Sequence, residues 1–282
     1  MSARRGVLRA AAVAALVLAG VMAEPAVVRA IYVSPTTIFL DARSPDAQIT
    51  IGNSDDTPEE ATIEVRFGFP DADSAGTPYI RFVDDPGPEF PSAADWIRPF
   101  PQRVRLEPGS QQIVRLLARP PDSLPDGEYW ARLIVTGRGA VTTLPSRDSV
   151  LHLGLDLQVR LIASVLYRKG HVTTGIAIRG LEAEAEGDSL AVWAHLEHTG
   201  NAAFLGEAIF DVTNARGGAV RTWTVPLSVH VPVRRRFVFP LDSLQPGDYR
   251  VRLRMRAERT DLPGDRVLPA APATDSVAVR VL

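Results

Sequence analysis

The segment DSLPDGEYWARL at residues 122–133 returns 120 positions later as DSLQPGDYRVRL at residues 242–253. Seven of the twelve positions are identical, including a Gly followed two residues later by a Tyr. A period of 120 residues is too long for a solenoid repeat and matches the size of one small domain. The repeat therefore predicts two related domains in tandem.

Both halves of the chain consist of short apolar stretches separated by Pro, Gly, Asp and Ser clusters, which is typical of β-strands. The segment 189–198 contains good helix formers, but its apolar residues alternate at Leu190, Val192, Ala194 and Leu196, so we predict a strand there. About seven strands in each half indicate an immunoglobulin-like sandwich. We predict an all-β protein with two tandem immunoglobulin-like sandwiches, at residues 31–168 and 169–282.

The repeated segment has a structural explanation. In such sandwiches a Tyr near the start of the sixth strand sends its hydroxyl back to an upstream backbone group, a feature called the tyrosine corner. Tyr129 and Tyr249 fit this position, and Gly127 and Gly247 would give the preceding turns their backbone freedom. The repeat therefore predicts a structural device that needs no ligand.

The first 30 residues predict an export signal. Three arginines precede an apolar run from Ala10 to Ala23, and small residues offer cleavage after Ala23 or Ala30. We favour cleavage after Ala30, because a β-like run begins at Ile31. The apolar run is shorter than the roughly 20 residues of a membrane-spanning helix, and no other span is predicted. We expect a soluble protein of the periplasm.

Composition excludes several classes of function. The net charge is −2 for the whole chain and falls to about −5 without residues 1–30, so nothing points to nucleic acid. The chain has no cysteine, which leaves an exported protein without disulfides or a thiol for lipid attachment. Its cores must hold by packing alone.

No pattern of catalytic or metal-binding residues is evident. The five histidines are scattered, and the closest pair, His195 and His198, would point to opposite faces of a strand. Nucleophile elbows, phosphate-binding glycine loops and calcium loops are all absent from the sequence. We predict that the protein is not an enzyme and uses no metal or cofactor.

The segment VLHLGLDLQVRLIASVLYR at residues 150–168 begins with an unusually long alternation, predicted as one strand over 150–161. Two interpretations stay open. The apolar row could fill the sandwich core as a long final strand. Alternatively, part of it could extend beyond the core and offer a row of leucines to another protein, since an exposed apolar strand would otherwise promote aggregation.

The first half resembles the periplasmic pilus-assembly chaperones of the PapD-like family. The matching features occur in the family's order and are VSPTTIFLD at 33–41, Asn53, Trp96 with Pro99, LEPGSQQIVRL at 106–116, GEYWARL at 127–133, the alternating strand at 150–161 and LYR at 166–168. The second half resembles a generic bacterial immunoglobulin-like module instead, and its VRRRF segment at 233–237 predicts a solvated, charge-protected strand edge.

The resemblance implies that the last strand of the first domain completes the unfinished sheet of a secreted subunit by β-augmentation. The donated side chains would be Leu151, Leu153, Leu155 and Leu157. The family also holds the subunit's terminal carboxylate with two cationic residues, but Thr37 and Ser164 stand at those positions here. Arg160, Arg168 and Lys169 are the candidates for a displaced anchor.

We therefore expect a periplasmic chaperone-like protein that binds strand-deficient secreted subunits. The alternative is a structural or adhesive envelope module, with both sandwiches complete and the strand at 150–161 buried in its own core.

Overall fold

The computed structural model describes residues 31–138, 142–143, 154–155, 158–241 and 244–281, with backbone alone at 138, 142–143 and 154–155. The predicted signal peptide, residues 1–30, lies outside the described residues. Strands dominate the described chain, which contains two short 3₁₀ turns and no α-helix.

The strands of the first half form two facing sheets and two small ribbons. Their bounds are β1 (Ile31–Ser34), β2 (Thr37–Asp41), β3 (Asp46–Asn53), β4 (Glu59–Arg66), β5 (Gly68–Ala72), β6 (Pro78–Phe82), β7 (Ile97–Phe100), β8 (Arg103–Leu106), β9 (Gln111–Ala118), β10 (Gly127–Arg138), β11 (Thr142–Thr143), β12 (Gly154–Leu155) and β13 (Gln158–Lys169). A 3₁₀ turn covers Ala94–Trp96.

The second half forms another pair of sheets. Its strands are β14 (Thr174–Glu186), β15 (Ser189–Gly200), β16 (Phe204–Asn214), β17 (Ala219–Val229), β18 (Val233–Pro240), β19 (Gly247–Arg256) and β20 (Ala273–Val281), with a 3₁₀ turn at Gly264–Arg266. The predicted strand at 189–198 is confirmed as part of β15, and its four alternating apolar residues are buried.

The first sandwich packs the sheet β1-β3-β9-β7 against the sheet β2-β13-β10-β4-β8. Alternate residues of each strand point inward, because side chains on a strand alternate between its two faces. Ile51, Val114, Leu133 and Val165 are fully buried between the sheets. The second sandwich packs β14-β15-β18 against β17-β16-β19-β20 around a separate core that includes Phe204, Phe210 and Leu253. The fold is therefore all-β, with two immunoglobulin-like sandwiches in tandem.

A third apolar cluster joins the two sandwiches. Phe67, Phe69, Trp130 and Leu166 of the first half are buried against Ala203 and Leu205 of the second half. Trp130 lies on the outer face of β10, so burial of this face depends on the second sandwich. An extensive apolar interface restrains relative domain motion.

Polar contacts reinforce this interface. The Glu128 side chain has no solvent exposure, and its carboxylate accepts hydrogen bonds from Trp130 Nε1 at 3.1 Å, Ala203 N at 3.2 Å and Arg168 Nε at 2.8 Å. Arg168 Nη1 also donates to the backbone oxygen of Arg266 at 2.7 Å. Each oxygen of the buried carboxylate is therefore satisfied, as burial of a charge requires.

The VRRRF segment is less solvated than the sequence predicts. It lies in β18, where the backbone nitrogen of Arg236 donates to the Gly76 oxygen in the turn between β5 and β6 at 2.9 Å. Arg234 pairs with Glu182 at 3.0 Å, and Arg236 pairs with Glu186. The predicted solvated edge is therefore partly wrong, because the hairpin of the first sandwich covers part of it.

The two copies of the repeated segment make equivalent hydrogen bonds. Tyr129 Oη donates to the Pro125 oxygen at 2.9 Å, and Tyr249 Oη donates to the Gln245 oxygen at 2.7 Å. Gly247 has a φ of +156°, whereas Gly127 opens β10 without a positive φ. The shared feature of the repeat is the hydroxyl-to-backbone bond, and the two glycines differ in conformation.

Changing Tyr129 to Phe is expected to lower the free energy of unfolding by about 1 kcal/mol, the usual net value of one hydrogen bond. Tyr249→Phe should have a similar effect on the second sandwich. Urea unfolding of each variant measures both values. Unchanged stability in both variants would mean that the corner hydroxyls contribute nothing to the fold.

Candidate partner-binding site

One edge of β13 is only partly covered. Along its full length β13 pairs with β10, from Gln158↔Arg138 to Lys169↔Gly127. On its other side β2 runs parallel to it and covers Ser164 to Arg168 alone. Within the described chain, residues 158–163 therefore have no strand on that side. A row of unpaired backbone groups is a template for another strand.

The direction of the free backbone groups follows from the β2 pairing. Ser164 N donates to the Thr36 oxygen at 2.8 Å, so the Ser164 amide points toward the β2 side. Successive amides of a strand point in opposite directions, so the amides of Arg160 and Ile162 point to the same side. These two amides face the uncovered edge.

The leucine row precedes this edge in the sequence, and the structure describes only part of it. Leu151, Leu153 and Leu157 lie outside the described residues, and Leu155 contributes its backbone to β12, paired with Thr142 of β11. Val159 and Leu161 continue the row on the same alternation and are half-buried against the core of the first sandwich. The described end of the row thus contacts its own core.

A small cavity of about 70 Å³ lies between the sandwiches where β2 begins to cover β13. Thr37 and Ser164, which are paired across the two strands, line it from the first half. Ser228, His230 and Arg259 line it from the second half. Arg259 is already paired with Asp261 at 2.6 Å, so its charge is balanced.

Arg132 lies directly behind Ser164 and was not predicted as a site residue. It is 2% exposed, its Nε donates to the Gly68 oxygen at 3.0 Å, and its Nη1 donates to Ser164 Oγ. Its Nη2 is buried without a partner among the described residues, and no described carboxylate pairs with it. Burial lowers the pKa of Arg132 to about 10, which leaves it charged at neutral pH.

This arrangement can bind an anion. Ser164 Oγ accepts a hydrogen bond from Arg132, so its own proton is free to be donated. A carboxylate in the cavity could accept one hydrogen bond from Ser164 Oγ and another from the Thr37 hydroxyl. The buried positive charge of Arg132 would lie behind Ser164. Thr37 and Ser164, two uncharged residues of this wall, are thereby backed by a cation from β10.

The three cations proposed from sequence as displaced anchors are bound elsewhere. Arg160 is exposed and lies 3.5 Å from the Glu64 carboxylate. Arg168 is neutralised by Glu128, and Lys169 Nζ donates to the Asp122 oxygen at 2.8 Å. None of the three is brought to the cavity beside Ser164, so Arg132 replaces them as the candidate anchor.

The interface also contains a buried histidine. His230 is 2% exposed, and neither of its ring nitrogens has a hydrogen-bond partner among the described residues. Burial lowers its pKa well below the ordinary value, and the nearby Arg132 and His198 lower it further. Its ring packs edge-on against Trp130, with centroids 4.6 Å apart. It is therefore uncharged at neutral pH.

The free energy of unfolding is expected to fall as the pH drops below about 6.5. In the unfolded chain His230 becomes protonated near that pH, whereas in the folded chain its lowered pKa keeps it neutral. Acid therefore favours unfolding, and the free energy of unfolding falls by up to about 1.4 kcal/mol per pH unit. His198, whose pKa burial also lowers, adds to the effect. Urea unfolding at pH 7.5 and 5.0 measures it. His230→Phe should flatten the dependence, and an equal loss in that variant would contradict this explanation.

The described part of the chain lacks two other features, a cluster of metal ligands and a membrane-spanning helix. No three His, Asp or Glu side chains come together there in a way that could hold a metal ion. Nor does any helix in the same residues have the length and apolar character needed to cross a membrane.

No protein-family model and no curated protein matches the chain. Solved structures are similar to it at low identity. A chain from the Salmonella enterica SafA pilin complex with the SafB chaperone is 15% identical, with a TM-score of 0.38 over 88% of this chain and 96% of that chain. The E. coli chaperone DraB is 14% identical, with a TM-score of 0.39 over 90% of this chain and 96% of its own. The Pseudomonas aeruginosa CupB2 chaperone is 14% identical, with a TM-score of 0.38 over 89% of this chain and 100% of its own.

Proposed function

We propose that the protein is an exported, chaperone-like protein that binds secreted or pilus-type subunits by β-strand addition. In this proposal residues 1–30 are a removed export signal, residues 31–168 form the binding domain and residues 169–282 form the second sandwich. The protein acts in the periplasm and performs no chemistry. The uncovered edge of β13 at residues 158–163 carries the proposal.

The geometry of β2 determines how a partner strand would lie. A strand added along residues 158–163 occupies the same side of β13 as β2 and meets β2 where it begins, near Thr37. If it runs parallel to β13, it ends at Ser164, beside the small cavity. Its terminal carboxylate would then lie against Ser164 and Thr37, with Arg132 behind them.

Two kinds of interaction would hold the partner. Backbone hydrogen bonds to the amides of Arg160 and Ile162 give affinity that does not depend on the partner's sequence. The leucine row at 151–157 would add apolar side chains to the partner's open groove. The buried charge of Arg132 sets the register, because a strand ending elsewhere leaves it unpaired.

One observation favours the alternative of a structural or adhesive envelope module. Val159 and Leu161 pack against their own core, as the last strand of a complete sandwich would. In that case the uncovered edge has no client, and the strand at 150–161 would be buried in its own core, as this alternative supposes.

A pull-down from the periplasmic fraction tests the proposal. The protein is immobilised, and captured polypeptides are identified by mass spectrometry. We expect secreted subunits that lack a strand of their own. Capture of complete, folded domains alone, or of nothing by protein shown to be folded, would contradict the proposal and favour the envelope module.

A further inference from the structure

A second and much larger cavity, of about 640 Å³, opens between the two sandwiches and also reaches His230. The loop at 88–92 and the first residues of β10 form one wall. The turns at 200–201 and 230–232 of the second half form the other. Its volume lies within the range of roughly 300–1,000 Å³ that is usual for small-molecule sites.

Prolines and backbone hydrogen bonds hold the walls of this cavity. Four of the lining residues are prolines, Pro88, Pro91, Pro125 and Pro232. Trp130 N donates to the Pro91 oxygen at 2.7 Å, which ties the loop to β10. Glu128 N donates to the Asn201 oxygen at 2.9 Å, which ties the two walls together. A ligand would therefore meet a preformed site and lose little affinity to ordering it.

Apolar surface is combined with unsatisfied polar atoms. Phe90 and Trp130 supply aromatic surface, while both ring nitrogens of His230 and Nδ1 of His198 are buried without partners among the described residues. An uncharged imidazole offers one donor and one acceptor. The Glu128 carboxylate, in contrast, is fully engaged by its three donors and is not free for a ligand.

Negative charges at the mouth and a positive charge at depth surround the cavity, so an ion of either sign is attracted by one and repelled by the other. Glu89 and Asp126 are exposed lining residues and repel an incoming anion. Arg132 is close enough to His230 to lower its pKa, and it repels a cation at the same depth. A neutral molecule meets neither penalty.

We infer that this cavity binds a small, uncharged aromatic molecule that carries both a hydrogen-bond donor and an acceptor, such as an aromatic carboxamide. The ring would contact the aromatic surface that Phe90 and Trp130 offer to the cavity, and the polar group would pair with His230. This site is distinct from the strand edge and does not depend on the proposed function.

Three probes of one shape test the inference, namely naphthalene-2-carboxamide, 2-naphthoate and 2-naphthylmethylammonium. Calorimetry on the unmodified protein should show the carboxamide binding at least about tenfold more tightly than either ion. Each ion lacks either the hydrogen-bond donor or the acceptor and carries a charge that the cavity partly repels. Equal affinity for all three, or no binding of the carboxamide, would overturn the inference.

A pair of variants assigns the binding to His230. His230→Phe should weaken carboxamide binding at least about tenfold. The matched control is His195→Phe, at a side chain that is 43% exposed on β15, and it should bind normally. If His230→Phe does not fold, imidazole ¹⁵N signals of the unmodified protein provide the readout. The His230 nitrogens should shift on addition of the carboxamide, and unchanged signals would contradict the assignment.

Discussion

Changing Leu153 and Leu155 together to glutamate is expected to weaken subunit capture at least about 100-fold while the protein stays folded. Each leucine buried in a partner's groove contributes about 1.5–3 kcal/mol, so loss of two exceeds the 2.7 kcal/mol that corresponds to 100-fold. Leu153 and the Leu155 side chain lie outside the described residues, so the prediction rests on the alternation of the sequence. Affinity for a captured client, measured by biolayer interferometry, checks it.

The matched control places the same two charges on the other sheet. Gln112→Glu and Ile113→Glu change exposed side chains on β9 and should leave client affinity unchanged. Unfolding curves of both double variants establish that each is folded. Equal affinity of the leucine variant and the control would mean that the row does not contact the client.

The second large effect is expected at Arg132. Changing it to methionine should reduce affinity for a client peptide with a free terminal carboxylate by about 100-fold or more, since truncating one partner of a buried charge pair costs 2–5 kcal/mol. The free energy of unfolding should change little. Loss of the bonds to Gly68 and Ser164 is offset by removal of a desolvated charge that no described carboxylate balances.

The repeat provides the control for this prediction. Arg252 occupies the position equivalent to Arg132 but is exposed on β19, so Arg252→Met should affect neither capture nor stability appreciably. A client peptide with a terminal amide offers a test on the unmodified protein, and it should bind about 100-fold more weakly than the free acid. Equal binding of acid and amide would show that Arg132 has no role as a carboxylate anchor, whether or not the variant folds.

The fold was predictable because strand alternation and turn residues are local signals. The repeated segment predicted the tandem arrangement. The alternation of apolar residues between Leu190 and Leu196 predicted the buried face of β15. Arg132 was not predictable in the same way. It shares its sequence context with Arg252, and only packing of the second sandwich against the outer face of β10 makes one arginine buried and leaves the other exposed.

The remaining site residues show the same limit. Arg160, Arg168 and Lys169 have the right charge and lie on the right strand, but their partners Glu64, Glu128 and Asp122 come from distant segments. His230 is likewise an ordinary histidine in the sequence. It is buried against Trp130, and burial together with the nearby positive charge of Arg132 lowers its pKa. Contacts between residues far apart in sequence decided these roles, within the first sandwich for the three cations and between the sandwiches for His230, and no local pattern encodes them.

Amide hydrogen exchange of β13, measured with and without a captured client, tests strand addition most directly. The account predicts that the amides of Arg160 and Ile162 become protected in the complex, because they face the uncovered edge. The amides of Val159 and Leu161 already face β10 and provide the internal control. Unchanged exchange at Arg160 and Ile162 in a saturated complex would show that the client binds without adding a strand there, and the central claim would be wrong.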